Sequence, residues 1–231
     1  HRFGVEQRQK ILLKSPSGLA PHLLAMTATP IPRSLQLTVF GDLDVSILDE
    51  LPKGRQPITT EILSETEMRA DLYPKIRETI NAGQQVYWIC KAIDDNSQAE
   101  TTSVKSRAEK LKGLFPEYKI EYLHGRMKPA EKDEVMDRFS RGLIQILVST
   151  TVVEVGVDVP NATLMVIEDA ENYGLAQLHQ LRGRVGRSAR RASAYLTYKR
   201  DKNLSEIAYK RLQAIREYTE FGSGFKIAMR D

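Results

Sequence analysis

One cysteine, Cys90, occurs in 231 residues, so neither an internal disulfide nor a cysteine-clustered zinc site can form. That economy fits a reducing compartment, and a cytoplasmic location is expected. No apolar run reaches 18 residues, so no membrane-spanning helix and no membrane partner are expected. The opening stretch, His1 to Lys10, is polar and lacks the apolar core of a secretory signal. No glycine-rich loop ending in Gly-Lys-Ser or Gly-Lys-Thr is present, so a phosphate cradle of that kind is missing. Asp94-Asp95-Asn96 places adjacent acids in different directions and reads as a solvated loop, so no metal site is expected.

What is present is ordinary in amount and uneven in placement. Apolar residues make up 41% and charged ones 28%, as in a soluble globular chain of one or two domains. The net charge is +4, yet Asn172 to Arg200 contains no acid and holds Arg182, Arg184, Arg187, Arg190, Arg191, Lys199 and Arg200. Positive charge is therefore concentrated in one block, which permits a polyanionic partner. Within it, Gln180-Leu181-Arg182-Gly183-Arg184-Val185-Gly186-Arg187 spaces arginines by two and three, with glycines that allow close backbone approach to a ligand. Forked guanidiniums on such an element suit phosphate oxygens; a solvated basic turn is the alternative.

Along the chain, Gln7 to Lys14 reads as a short helix and His22 to Met26 as a strand running into Thr27-Ala28-Thr29-Pro30. The two threonines either cap the following helix or present hydroxyls at a strand end, where ligands gather in open α/β sheets. Glu50 to Pro57 carries two prolines and a glycine among polar residues and reads as a linker. Residues 1–49 are then the tail of a preceding domain. From Ile58, strand-like runs (58–63, 85–90, 118–123, 144–149, 163–168, 193–199) alternate with helical patterns at 65–82, 97–114 and 129–141. That alternation predicts an α/β domain over 58–200, a parallel sheet with helices on both faces. Trp88 and Cys90 fall in an apolar run and read as core. Pro74 interrupts the 65–82 pattern and predicts a kink. After residue 200, Leu204, Ile207, Ala208, Leu212 and Ile215 recur at helical spacing, opening a further element over 201–231.

Thr27-Ala28-Thr29-Pro30, then Ser149 to Pro160, then Gln180 to Arg187 resemble, in order, the third, fifth and sixth motifs of the superfamily 2 helicases. The phrases LPKGRQPITT, LHGRMKPAEK and GLAQLHQLRGRVGR resemble the RecG branch of that superfamily most. The resemblance covers nearly the whole chain. It implies a RecA-like fold, with 58–200 as the second motor domain preceded by the remnant of a first.

Several residue roles follow from the resemblance alone. Arg184 and Arg187 would be arginine fingers, with Gln180 ordering the phosphate side or a water. Glu154, Gly156 and Asp158 would line the nucleotide, Asp158 accepting from a ribose hydroxyl or a motif arginine; capping a turn is its other reading. Thr27, Ala28 and Thr29 would couple domain closure to movement. His124, Gly125, Arg126, Thr150 and Thr151 would contact a DNA backbone, although a lone histidine is commonly structural. Arg182, Arg190 and Arg191 receive no role and could be solvent-facing charges.

His1 resembles the last residue of the family's Asp-Glu-x-His box, unless it is a tag residue, so the acids that hold Mg²⁺ would precede it. ATP and Mg²⁺ are accordingly expected in a full-length protein and not on this piece by itself. The expected partners are branched or double-stranded DNA, the missing first motor domain and an N-terminal wedge. The activity implied is remodelling of branched DNA, by fork reversal and Holliday junction migration. The motor of a transcription-repair coupling translocase, or a non-catalytic nucleic-acid-binding module, stands as the alternative.

Overall fold

A computed structural model of the chain describes residues 56–91, 97–150, 158–186, 190–199 and 205–217, with scattered positions before residue 55. Six strands, β1 (Ile58–Ser64), β2 (Gln85–Cys90), β3 (Ile120–Leu123), β4 (Ile146–Thr150), β5 (Ala162–Ile167) and β6 (Ala192–Tyr198), form one sheet in the order β1-β6-β5-β2-β4-β3. Every neighbouring pair is parallel. The helices are α1 (Tyr73–Asn81), α2 (Ser97–Leu114), α3 (Pro129–Ser140), α4 (Leu175–Arg182) and α5 (Glu206–Glu217).

Parallel strands need crossover connections, and the helices that supply them cover both faces, so the central strands β2, β4 and β5 are buried throughout and mostly apolar. In β2 alternate side chains serve opposite layers. Val86, Trp88 and Cys90 pack with Ile76 of α1 and Val104, Ala108 and Leu111 of α2. Tyr87 and Ile89 pack with Val135, Met136 and Phe139 of α3, in the layer that also holds Leu178 of α4 and Leu212 of α5. Trp88 is fully buried and Cys90 nearly so, as their apolar run implied. The expected RecA-like sheet with helices on both faces is observed; of residues 1–49 only scattered positions are described, and the helix expected over Gln7 to Lys14 and the strand expected over His22 to Met26 lie largely outside the described residues.

The helix expected over 65–82 is built in two pieces. Glu67 Oε2 accepts the Ser64 N–H at 2.8 Å, as a capping box would have it. A π-helical turn, Met68–Leu72, then precedes α1, in which Pro74 lies within the first two positions. Proline has no N–H to give and its ring fits a first helical turn, so Pro74 starts α1 where it would have broken a longer helix. On α5 the apolar stripe is incomplete: Leu212 and Ile215 are buried but Ile207 is 71% exposed, and Leu204 lies outside the described residues.

Candidate functional site

Residues with polar chemistry collect at the two ends of the strands. At the carboxyl edge, Glu168 follows β5 and is 8% exposed. Arg107 of α2 grips it with both arms, Nε donating at 2.9 Å to Oε2 and Nη2 lying 2.6 Å from Oε1. The Cys90 thiol donates to the same Oε2 at 3.2 Å. Burial, then the neighbouring Glu168 carboxylate, drives the Cys90 pKa far upward, so this thiol stays protonated. The next residue, Asp169, takes a left-handed φ of 50°, and Lys199 lies 3.7 Å from its carboxylate.

Also on the carboxyl edge, β3 leads into His124-Gly125-Arg126. His124 is 7% exposed and stacks on Tyr122, with centroids 6.0 Å apart. Its Nδ1 accepts the Arg126 N–H at 3.3 Å, and Lys132 from the first turn of α3 donates to the Gly125 carbonyl at 2.6 Å. The imidazole thus braces the turn from within, while Arg126 is exposed. Thr150, at the end of β4, is fully buried. Of the five expected DNA contacts, Arg126 offers an open side chain, His124 and Thr150 are covered, Gly125 is partly covered, and Thr151 lies outside the described residues.

At the amino edge lie Gly186, against Ile58 and Ala192, and Arg190, against Asn161. Helix α4 was not anticipated: Leu175, Leu178 and Leu181 recur every third residue, and the first two are buried in the core. Its end unwinds through Gly183-Arg184-Val185-Gly186, with the Arg184 N–H bonded to the Leu181 carbonyl at 3.0 Å. Val185 is 1% exposed, a peg in the α4 layer. Gly186 adopts φ +73°, and a Cβ there would lie 2.9 Å from Ile58 Cγ1 and 3.1 Å from Ala192 Cβ. The close approach that this glycine permits is therefore to the amino ends of β1 and β6. Gly183 has an ordinary φ of −64° and meets nothing nearer than the Gln180 carbonyl at 3.4 Å.

This pinning presents Gln180 exposed and Arg184 half-buried on one element. Asp158, exposed, begins the segment that enters β5 at the same edge. Arg187, Glu154 and Gly156, and Thr27, Ala28 and Thr29, lie outside the described residues.

Arg182 departs from the solvent-facing reading: it is 4% exposed. Its guanidinium donates to the Ile215 carbonyl at 2.6 Å and to Thr60 Oγ1 at 3.3 Å, and Nη2 sits 3.2 Å from His179 Nδ1. One side chain thereby ties α4 to β1 and caps the last turn of α5, where helix carbonyls need donors. Burial lowers its pKa to about 10. Burial, and then the Arg182 charge, lowers His179 to about 4, so the imidazole is neutral at pH 7 and can accept from Arg182. Arg190 and Arg191 are exposed, and Arg190 Nη1 donates to Asn161 Oδ1. Among the described residues, no three His, Cys, Asp or Glu side chains gather as metal ligands, and no helix is long and apolar enough to cross a membrane.

Comparison with known proteins adds to this geometry. Residues 70–189, more than half of the chain, match the helicase conserved C-terminal domain. Over 231 residues the chain is 48% identical to ATP-dependent DNA helicase RecG of Acidithiobacillus ferridurans, covering all of this chain and 32% of that protein. It is 49% identical over 233 residues to RecG of Escherichia coli O157:H7, covering all of this chain and 33% of that protein. The chain spans about a third of the length of these curated relatives. A structure of RecG bound to a three-way DNA junction superposes with a TM-score of 0.71 at 41% identity, over 87% of this chain and 25% of that one. An S. cerevisiae Dbp5 structure reaches a TM-score of 0.59 at 18% identity, over 93% of this chain and 51% of that one, a likeness of fold alone.

Proposed function

Because the chain belongs to the helicase conserved C-terminal domain family, we propose that it supplies the second RecA-like lobe of a RecG-type, ATP-dependent DNA motor that remodels branched DNA. Family membership implies use of ATP by the full-length protein. In this reading residues 1–49 are the tail of the first lobe, 50–57 the linker, 58–200 the second lobe and 201–231 the start of a further element. The working partners are branched or double-stranded DNA, the first lobe and a wedge domain.

ATP with Mg²⁺, when bound, supplies a phosphoryl group whose transfer to water develops charge on the phosphate oxygens. The donor set of this chain fits that group. Arg184 and Arg187 offer forked guanidiniums, Gln180 an exposed amide, and Asp158 a carboxylate suited to a ribose hydroxyl. An arginine finger placed against such charge is worth roughly 10³ to 10⁵ in rate. Glu154 and Gly156 border the same nucleotide, and Thr27-Ala28-Thr29 relays closure between lobes. Arg126, its backbone N–H held by His124 and its turn braced by the Lys132–Gly125 contact, meets a DNA phosphate, with the buried Thr150 supporting that edge from within and Thr151 as a further candidate contact. Such contacts position a duplex without reading its bases.

The observation that carries this reading is the division of labour between the two sheet edges. Gly186, two residues beyond Arg184, lies at the amino ends of β1 and β6, whereas Arg126 and Thr150 lie at the carboxyl ends of β3 and β4. Strands of four to seven residues separate those edges by about 13–23 Å. A packed sheet moves as a body, so a pull on the arginine edge shifts the DNA edge with it. The test is ATP turnover by the full-length protein with forked and with linear duplex DNA. Stronger stimulation by forks supports the reading, and turnover indifferent to DNA overturns it.

A further inference from the structure

Behind the exposed Arg190 lies a chain of amides that the arginine-finger reading does not use. Asn161, the residue before β5, accepts from Arg190 Nη1 through its Oδ1. Its Nδ2 is spent on two acceptors, the Gly83 carbonyl at 2.9 Å and Gln85 Oε1 at 3.1 Å. Gln85, 2% exposed at the start of β2, donates from Nε2 to the carbonyls of Phe139 and Ile144, both at 2.6 Å. The backbone adds a bond, the Gln85 N–H to the Asn161 carbonyl at 2.9 Å. Both amide side chains are thus locked, and the Asn161 oxygen is aimed before Arg190 arrives. An acceptor fixed in advance loses little entropy on pairing, so it can hold a guanidinium that a mobile surface amide could not.

The second anchor is Gly186, pressed onto Ile58 and Ala192. Gly186 and Arg190 bracket Arg187, so the two anchors fix both ends of the segment that carries the proposed finger. We propose that Asn161 is a positioning residue for the phosphate-facing arginines: it clamps Arg190 at the amino edge and so fixes the chain on the carboxyl side of Arg187. The inference rests on the reading of that edge as the nucleotide side. Gln85 extends the clamp to the last turn of α3, whose first turn braces Gly125.

The test uses the full-length protein and measures ATP kcat, KM for ATP, DNA affinity and Tm. Asn161→Leu should lower kcat about tenfold, because a misplaced catalytic group costs turnover, while DNA affinity stays within about threefold. Asn161→Asp keeps an acceptor for Arg190 but loses both donor bonds, so it should lower Tm and keep kcat within about threefold of the parent. Arg190→Ala should match Asn161→Leu in kcat with little change in Tm, and the double variant should be no worse than either single one. If Asn161→Asp loses as much turnover as Asn161→Leu, or if the two single losses multiply, the clamp is refuted. Arg187→Ala separates the layers of the argument. Turnover lost there but kept in Asn161→Leu sinks the positioning role alone. Turnover kept in Arg187→Ala sinks the phosphate-facing reading and this inference with it.

Discussion

Gly186→Ala should be among the most damaging single-methyl changes in the chain, and the structure gives the size of the effect. A left-handed backbone with φ +73° costs an L side chain roughly 1–2 kcal/mol. The added Cβ also meets Ile58 Cγ1 at 2.9 Å and Ala192 Cβ at 3.1 Å, below ordinary contact. Relieving that overlap means moving a peg held by the buried Val185 or parting β1 from β6, a further cost of about 1–3 kcal/mol. The total is about 2–5 kcal/mol, or a fall in Tm of about 4–20 °C for a domain of this size. Thermal unfolding of the 231-residue chain, followed by circular dichroism, measures it. Gly183→Ala is the internal control: its φ is ordinary and its Cβ has room, so stability should stay within about 1 kcal/mol of the parent. Ile58→Ala combined with Gly186→Ala should relieve the Ile58 overlap and leave the Ala192 contact and the backbone part, a coupling of about 1–2 kcal/mol. Equal, small effects at both glycines would refute the packing argument.

Other expectations follow from the buried charges. Arg107→Ala strands the Glu168 carboxylate, 11% exposed in its side chain, and should cost about 2–3 kcal/mol in urea unfolding, less than for a fully buried pair because Arg107 is 27% exposed. Replacing both partners with Met and Gln should cost less than Arg107→Ala. His179 has a depressed folded pKa of about 4, so its contribution is complete above the unfolded value of 6.5 and is lost as pH falls toward 4. His179→Asn should flatten the fall in stability across that window. Binding of the isolated chain to duplex DNA should weaken steeply as salt rises from 50 to 200 mM, because phosphate contacts dominate. A salt-independent affinity would speak against a phosphate-facing surface.

Period and composition revealed the sheet because its central strands are buried on both faces. The strand expected over Gln85 to Cys90, apolar from Val86 onward and preceded by turn residues, has those bounds in β2. The edge strand β3 is shorter than its apolar run suggested. Tyr118 is drawn into a turn whose N–H bonds the Phe115 carbonyl, so pairing starts at Ile120. Helix α4 is hard to read locally because eight residues are too few to establish a period and they end among the arginines, where charge dominates the pattern. The buried role of Arg182 was illegible for a different reason. Its partners, Thr60 and Ile215, lie 122 and 33 residues away in sequence, and no local spacing announces contacts of that range. The same holds for Asn161 and Gln85, separated by 76 residues. Motif order named the arginines, while the reason for Gly186 lay in strands that local sequence does not place.

The most direct test of the account replaces Arg187, and separately Arg184, with alanine in the full-length protein and measures ATP turnover beside DNA affinity. The account predicts a fall in turnover of at least about a hundredfold for Arg187→Ala, with DNA affinity within a few fold of the parent. Loss of both in equal measure, or of DNA affinity alone, would contradict the assignment of the amino edge to the nucleotide.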